Sequence, residues 1–252
     1  MLPFLLSFFL VAHRGASADA PENTLSAFEL AWKQGADAIE GDFHLSKDGH
    51  IVCIHDHHTE RVSKKNLVVA DSTLAQLQTL DVGNWKNKKF KGTRIPTLAE
   101  VLATVPEEKK IFIEVKIGPE MVKPLTKALT ASSLKKEQVV VISFNQPFLK
   151  AWKTANPDCE SNLLLSYNRK RWDLSPSFDE TLAKLKATGV DGLSTNTHRG
   201  VNKGFVQRLH KAGYKHHVWT VDSPKTAKRF LSYGTQSITT NLPYYLRKTL
   251  DN

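Results

Sequence analysis

The chain has 252 residues, of which 40% are hydrophobic and 24% charged, and its formal net charge is +10. This balance excludes a disordered or low-complexity chain and supplies enough apolar material for a sizeable core, read as one large globular domain, without disulfides. The two cysteines, Cys53 and Cys159, are widely separated and lack metal-ligand spacing, so both read as small apolar residues.

MLPFLLSFFLVA is an apolar run of 12 residues. It is shorter than the roughly 20 needed to span a bilayer as a helix, and it lacks the basic start of a secretory signal. It reads as a buried first strand over Phe8–Ala12, with Met1–Ser7 packed beside it. A shortened remnant of an export signal is the alternative, and a cytoplasmic location is favoured over a periplasmic or secreted one. NTLSAFELAWKQG follows as a helix: Leu25, Phe28 and Trp32 share one face, Asn23 or Thr24 can cap its start, and Gly35 can end it. DAIEGDF is the next strand, and HIVCIH is a further short one closed by His55. A polar, lysine-rich stretch over roughly 56–95 holds the short helix candidate STLAQLQTL and reads as an excursion from the main pattern. TLAEVLATV resumes with a helix opened by Thr97.

From there the rhythm is regular. KIFIEVK, QVVVISF, SNLLLSY, VDGLST, KHHVWTV and QSITTN read as strands. Between them lie helical segments such as PEMVKPLTKALTAS, SPSFDETLAKLKAT, NKGFVQRLHKA and PKTAKRFLSYG, with Gly189, Gly213 and Gly234 at helix ends. Together with the first two strands this makes eight βα units in about 250 residues, the expectation for a (β/α)8 TIM barrel. A doubly wound open sheet is the structural competitor. No G-x-G-x-x-G or P-loop follows a strand, which weakens any nucleotide-binding reading.

Residues two apart on a strand point to the same side. Glu40 and Asp42 therefore share a face, as do Glu114 and Lys116, and both pairs lie toward the C-terminal ends of their strands, the active-site face of a barrel. Packed carboxylates raise one another's pKa, and a bound cation removes that penalty. All-oxygen donors select Mg²⁺ or Ca²⁺ over zinc, so Glu40, Asp42 and Glu114 are expected to hold one divalent cation. The bland alternative turns these charges outward onto Lys or Arg. His13 closes the first strand and His55 the short one; imidazoles exchange protons near neutral pH. Arg14 and Lys116 supply positive charge for an anion. Collectively these residues describe metal-assisted phosphoryl chemistry. His57 and His58 are expected to face solvent, and His216 and His217 alternate faces so that at most one points inward. His44, His50, His198 and His210 offer no pairing.

AHRGASADAPENTLSAF, ADAIEGDFHLSKDGHIVCIHD and IFIEVK, followed by VWTVD and ITTNLP, resemble in order the glycerophosphodiester phosphodiesterase family. The resemblance implies a (β/α)8 barrel with a small insertion after the second strand, matching the 56–95 excursion. It implies hydrolysis of glycerophosphodiesters to sn-glycerol 3-phosphate and an alcohol with a divalent cation. Its acid–base histidines fall on His13 and His55, its metal carboxylates on Glu40, Asp42 and Glu114, and its phosphate-binding positions on Arg14 and Lys116. Trp219 matches an aromatic that borders the substrate. Gly41 stands where the family more often has a bulkier residue, and Thr240 where an Asp is common.

Three rival readings are a lysophospholipase D on the same barrel, a non-catalytic barrel that binds phosphorylated ligands, and a membrane-peripheral interaction protein. The basic stretches NKKFKGTR and YNRKRW read as solvated surface, with weak attraction to a membrane surface left open. No nucleic-acid-binding motif is present. Sequence does not fix the head group, the metal, the oligomeric state or which histidine is the acid.

Overall fold

The structure is a computed structural model that describes residues 8–168 and 173–251. The expected packing of Met1–Ser7 and most of the basic YNRKRW stretch lie outside the described residues. Alternation of apolar strands and amphipathic helices gives a parallel barrel. Its strands are β1 (Phe9–His13), β2 (Ala38–Leu45), β4 (Lys110–Val115), β5 (Val139–Ser143), β6 (Glu160–Leu165), β7 (Gly192–Asn196), β8 (Lys215–Trp219) and β9 (Ser237–Thr240). The outer helices are α1 (Leu25–Lys33), α4 (Val122–Thr130), α5 (Gln146–Ala155), α6 (Phe178–Thr188), α7 (Lys203–Lys211), α8 (Pro224–Leu231) and α9 (Pro243–Leu250). The pairing β1–β2 joins the two ends of the strand order and closes the cylinder. The chain is thus a (β/α)8 barrel, not an open sheet.

Sequence signals explain the helix ends. Thr24 caps α1, as one of its two candidates required, and its hydroxyl accepts from the Ala27 amide. Thr97 and Glu100 form a reciprocal capping box on the short helix α3 (Leu98–Leu102), and Ser177 and Glu180 do the same on α6. Gly189 ends α6 in the left-handed conformation.

One element differs from expectation. HIVCIH forms only β3 (Ile51–Cys53), which runs antiparallel to the end of β2. His55 therefore lies in the loop after the strand. The hairpin lifts β2 beyond the barrel rim and launches the excursion, which carries the short helix α2 (Leu74–Leu77). Val52, Ile54, Val62, Val69, Leu77, Leu80, Val82 and Ile95 pack there as a small core of their own.

Strand alternation sorts the barrel interior into layers. The inward set includes Val11, Ala38, Phe112, Val140, Ile142 and Leu164, a dry plug at mid-height. His13, Glu40, Asp42 and Glu114 follow in the same alternation above it. Outward-facing strand residues such as Ile39 share one core with Phe28, Phe148, Trp152 and Phe230 of the surrounding helices. Gly41 belongs to that outer face: a Cβ there would meet the Phe28 ring at 3.1 Å and Cys53 Sγ at 3.2 Å, so the glycine admits α1 and β3 at close range. No helix among the described residues is long and apolar enough to cross a membrane.

Candidate active site

The turn after β1 sets the site. Arg14 and Gly15 both take positive φ, 55° and 77°. A Cβ on Gly15 would stand 2.5 Å from the Ala27 backbone, so only glycine fits against α1. The turn aims the Arg14 amide at Glu40, donating to Oε2 at 2.9 Å. Asn23, also at positive φ (56°), donates its side-chain amide to Asp42 Oδ2 at 2.8 Å, and its Oδ1 accepts from the Asp42 amide at 3.1 Å.

Glu40, Asp42 and Glu114 point into the mouth of the barrel and are 2%, 0% and 9% exposed. One oxygen from each lies within 4.8 Å of the others. They do not turn outward onto surface lysines. Asp42 faces the Arg14 guanidinium at 3.2 Å and Lys116 Nζ at 3.3 Å, while Lys116 also holds Glu114 at 2.7 Å. Two cations thus serve three carboxylates, and Arg14 is further shared with Glu22 at 2.8 Å. Burial, reinforced by the neighbouring Asp42 charge, drives Glu40 and Glu114 well above the usual carboxylate range. Burial pushes Asp42 the same way, but Lys116 and Arg14 outweigh it and hold it low. Glu40 Oε1 is buried and has no hydrogen-bond partner. A buried oxygen left unpaired in an acidic, all-oxygen cluster is what a hard divalent cation satisfies, so these residues fit such an ion.

Two imidazoles flank the cluster. His13 Nδ1 lies 2.7 Å from Asn241 Oδ1, and Asn241 Nδ2 donates to Asp222 at 2.8 Å, which fixes Oδ1 as acceptor and puts the His13 proton on Nδ1. His55 Nδ1 likewise donates to Asp56 at 2.6 Å. Both rings therefore keep Nε2 open as a base. Burial, with Arg14 adding to it at His13, lowers both below the ordinary histidine value.

Further residues hold this arrangement in place. Arg61, from the excursion, donates to Asp56 and to both oxygens of Glu22, tying the His55 loop to the β1 turn. His44 does have a partner, contrary to expectation: its Nε2 meets the His55 carbonyl at 3.1 Å and its ring packs edge-on to His57. It shares the strand parity of Glu40 and Asp42, a signal available in the sequence. Thr240 donates to Asp222 at 2.8 Å and so supports Asn241. His57 and His58 are exposed as expected. Of the β8 pair, His217 faces the barrel interior and His216 the helices, yet both are buried. Trp219 ends β8 at the rim, edge-on to the half-exposed Phe144. A groove of about 340 Å³ opens beside His13 and Arg14, walled by Trp85, Lys86, Asp222 and Asn241.

The chain was compared with known proteins. Its residues 13–244 match the model of the glycerophosphoryl diester phosphodiesterase family. It is 33% identical over 240 residues to a glycerophosphodiester phosphodiesterase of Caldanaerobacter subterraneus subsp. tengcongensis, covering 93% of this chain and 94% of that one. It is 29% identical over 255 residues to a glycerophosphodiester phosphodiesterase of Bacillus subtilis, covering 94% and 85%. Among solved structures, an Oleispira antarctica phosphodiesterase in complex with the product sn-glycerol-3-phosphate superposes with a TM-score of 0.81 at 26% identity, covering 97% of each chain. The family match begins at His13 and runs past the last barrel strand, taking in every residue of the mouth described above. The chain belongs to the glycerophosphoryl diester phosphodiesterase family.

Proposed function

We propose that this enzyme hydrolyses glycerophosphodiesters to sn-glycerol 3-phosphate and an alcohol in a divalent-cation-dependent reaction at the barrel mouth. The observation that carries the reading is the buried triad Glu40–Asp42–Glu114, short of positive charge and flanked by two histidines with open Nε2 atoms. Glu40, Asp42 and Glu114 would hold the cation, Mg²⁺ or Ca²⁺, whose charge polarises the phosphoryl group. Arg14 binds phosphodiester oxygens and orients the phosphorus. Lys116 balances the negative charge that grows as the P–O bond breaks. One histidine, neutral, takes a proton through Nε2 from the attacking hydroxyl, of water or of the glycerol 2-position, and the other, entering the step protonated on Nε2, gives that proton to the leaving alkoxide. Trp219 borders the glycerol moiety with an apolar face.

The test is to incubate the pure protein with several glycerophosphodiesters in Mg²⁺, Ca²⁺ or a chelator and to assay glycerol 3-phosphate. Release with either ion and none with the chelator is the expected result; cation-independent release would remove the metal from the reaction. Glycerophosphocholine is expected to be cleaved faster than lysophosphatidylcholine, which separates this reading from a lysophospholipase D.

A further inference from the structure

The excursion places an aromatic and a cation at the edge of the site. Trp85 is 44% exposed, and its indole N–H is fixed on the Val82 carbonyl at 2.8 Å. Lys86 Nζ donates to the Ser17 carbonyl at 2.7 Å and sits 5.9 Å from the Trp85 ring centre. Both line the groove that holds His13 and Arg14. The other charges of that groove are already engaged: Arg14 with Glu22 and Asp42, Glu22 also with Arg61, and Asp222 with three donors from Thr240 and Asn241. Lys86 enters no salt bridge among the described residues; its ammonium meets the neutral Ser17 carbonyl and the Trp85 ring.

Trp85 also walls a second hollow of about 490 Å³, which includes Arg61, Lys64, Lys65, Lys91, Glu60 and Asp81. Asp81 caps the Gly83 and Asn84 amides, and Glu60 accepts from Asn66. Lys64, Lys65 and Lys91 enter no salt bridge among the described residues. Trp85 is common to both hollows, so the basic one adjoins the groove that holds His13 and Lys86, and their lysines attract negative charge and repel positive charge.

We propose that Trp85 and Lys86 form the subsite for the leaving alcohol and favour alcohols that carry an anionic group over cationic ones. The inference rests on the proposed diester hydrolysis. The probes are glycerophosphocholine, glycerophosphoglycerol and glycerophosphoinositol 4-phosphate, whose alcohols are cationic, neutral and anionic. For the unaltered enzyme, kcat/KM is expected to rise in that order. Lys86→Glu is expected to lower the ratio of kcat/KM for the anionic over the cationic probe by at least ~10-fold, with Lys86→Gln in between. Trp85→Ala is expected to raise KM for all three. Lys136→Glu, 71% exposed at the opposite end of the barrel, controls for net charge and should leave the ratio unmoved. A ratio unchanged in Lys86→Glu, or shifted equally by Lys136→Glu, overturns the inference while diester hydrolysis stands. Cleavage of none of the three probes overturns both.

Discussion

The two ends of the barrel interior are built from the same kinds of residue and differ in how their charges balance. At the mouth, three buried carboxylates face two shared cations, and each of two histidines keeps a nitrogen open. At the base, Glu160 pairs with Lys215 at 2.6 Å, and His217 sits fully inside with Nδ1 on Ser237 at 2.8 Å and Nε2 4.0 Å from Glu160. Phe9, Phe112 and Val140 line the same base cavity. The residue list alone does not distinguish the ends. The mouth has more carboxylates than cations to match them, whereas at the base the single carboxylate, Glu160, is matched by Lys215, with Lys110 lining the same cavity. The excess is destabilising on its own, which is why it marks a place where something else binds.

The sharpest way to break this comparison is to remove the excess. Glu40→Ala and His13→Ala are each expected to cut kcat by at least ~10²-fold, the scale of lost acid–base or electrostatic catalysis. Near-normal turnover in either variant would take that residue out of the chemistry.

A second probe reads the base through pH. Burial pushes the His217 imidazole down to about 3, against 6.5 when exposed. The unfolded chain therefore binds the proton more readily, and the stability His217 contributes is present above pH 6.5 and drains away as pH falls toward 3. Between pH 7 and pH 5 this amounts to about 2 kcal/mol, so His217→Asn should lose that much less stability than the unaltered chain over the same interval, by urea denaturation. Glu40 and Glu114 slope the other way, since carboxylates with raised pKa values take up protons on folding as pH falls from about 8; that contribution is common to both chains and cancels. Equal slopes in the two would show that His217 is not a neutral buried group.

The smallest effect is expected from the paired base charges. Glu160 and Lys215 are partly exposed, at 25% and 43%, so Lys215→Ala should cost less than about 1 kcal/mol and leave kcat within about two-fold. A collapse of turnover in Lys215→Ala would mean that the two ends are not separable.

Much of the mouth was legible because strand parity is a strict rule. Glu40 and Asp42, two apart in an apolar strand, had to share a face, and Glu114 followed from the same rule in β4. Helix caps at Thr24 and Thr97 were equally local. What escaped was of two kinds. HIVCIH could not be read as an antiparallel flap, because its apolar run is the same whether it pairs inside the barrel or folds back on β2. The supports of the histidines depend on tertiary distance: Asn241 meets His13 across 228 positions of sequence and Arg61 meets Glu22 across 39. A lone Asn or Arg at such a separation has no local periodicity to reveal its partner.

The closure of β9 against β1 has a further consequence for how the enzyme is made. His13 and Arg14 are synthesised with the first barrel strand, yet Asn241, which sets the proton position on His13, follows the last one. Until β9 emerges and seals the cylinder, the nascent chain holds the groups of the mouth without the neighbour that directs one of them, so assembly of the mouth waits on the last barrel strand.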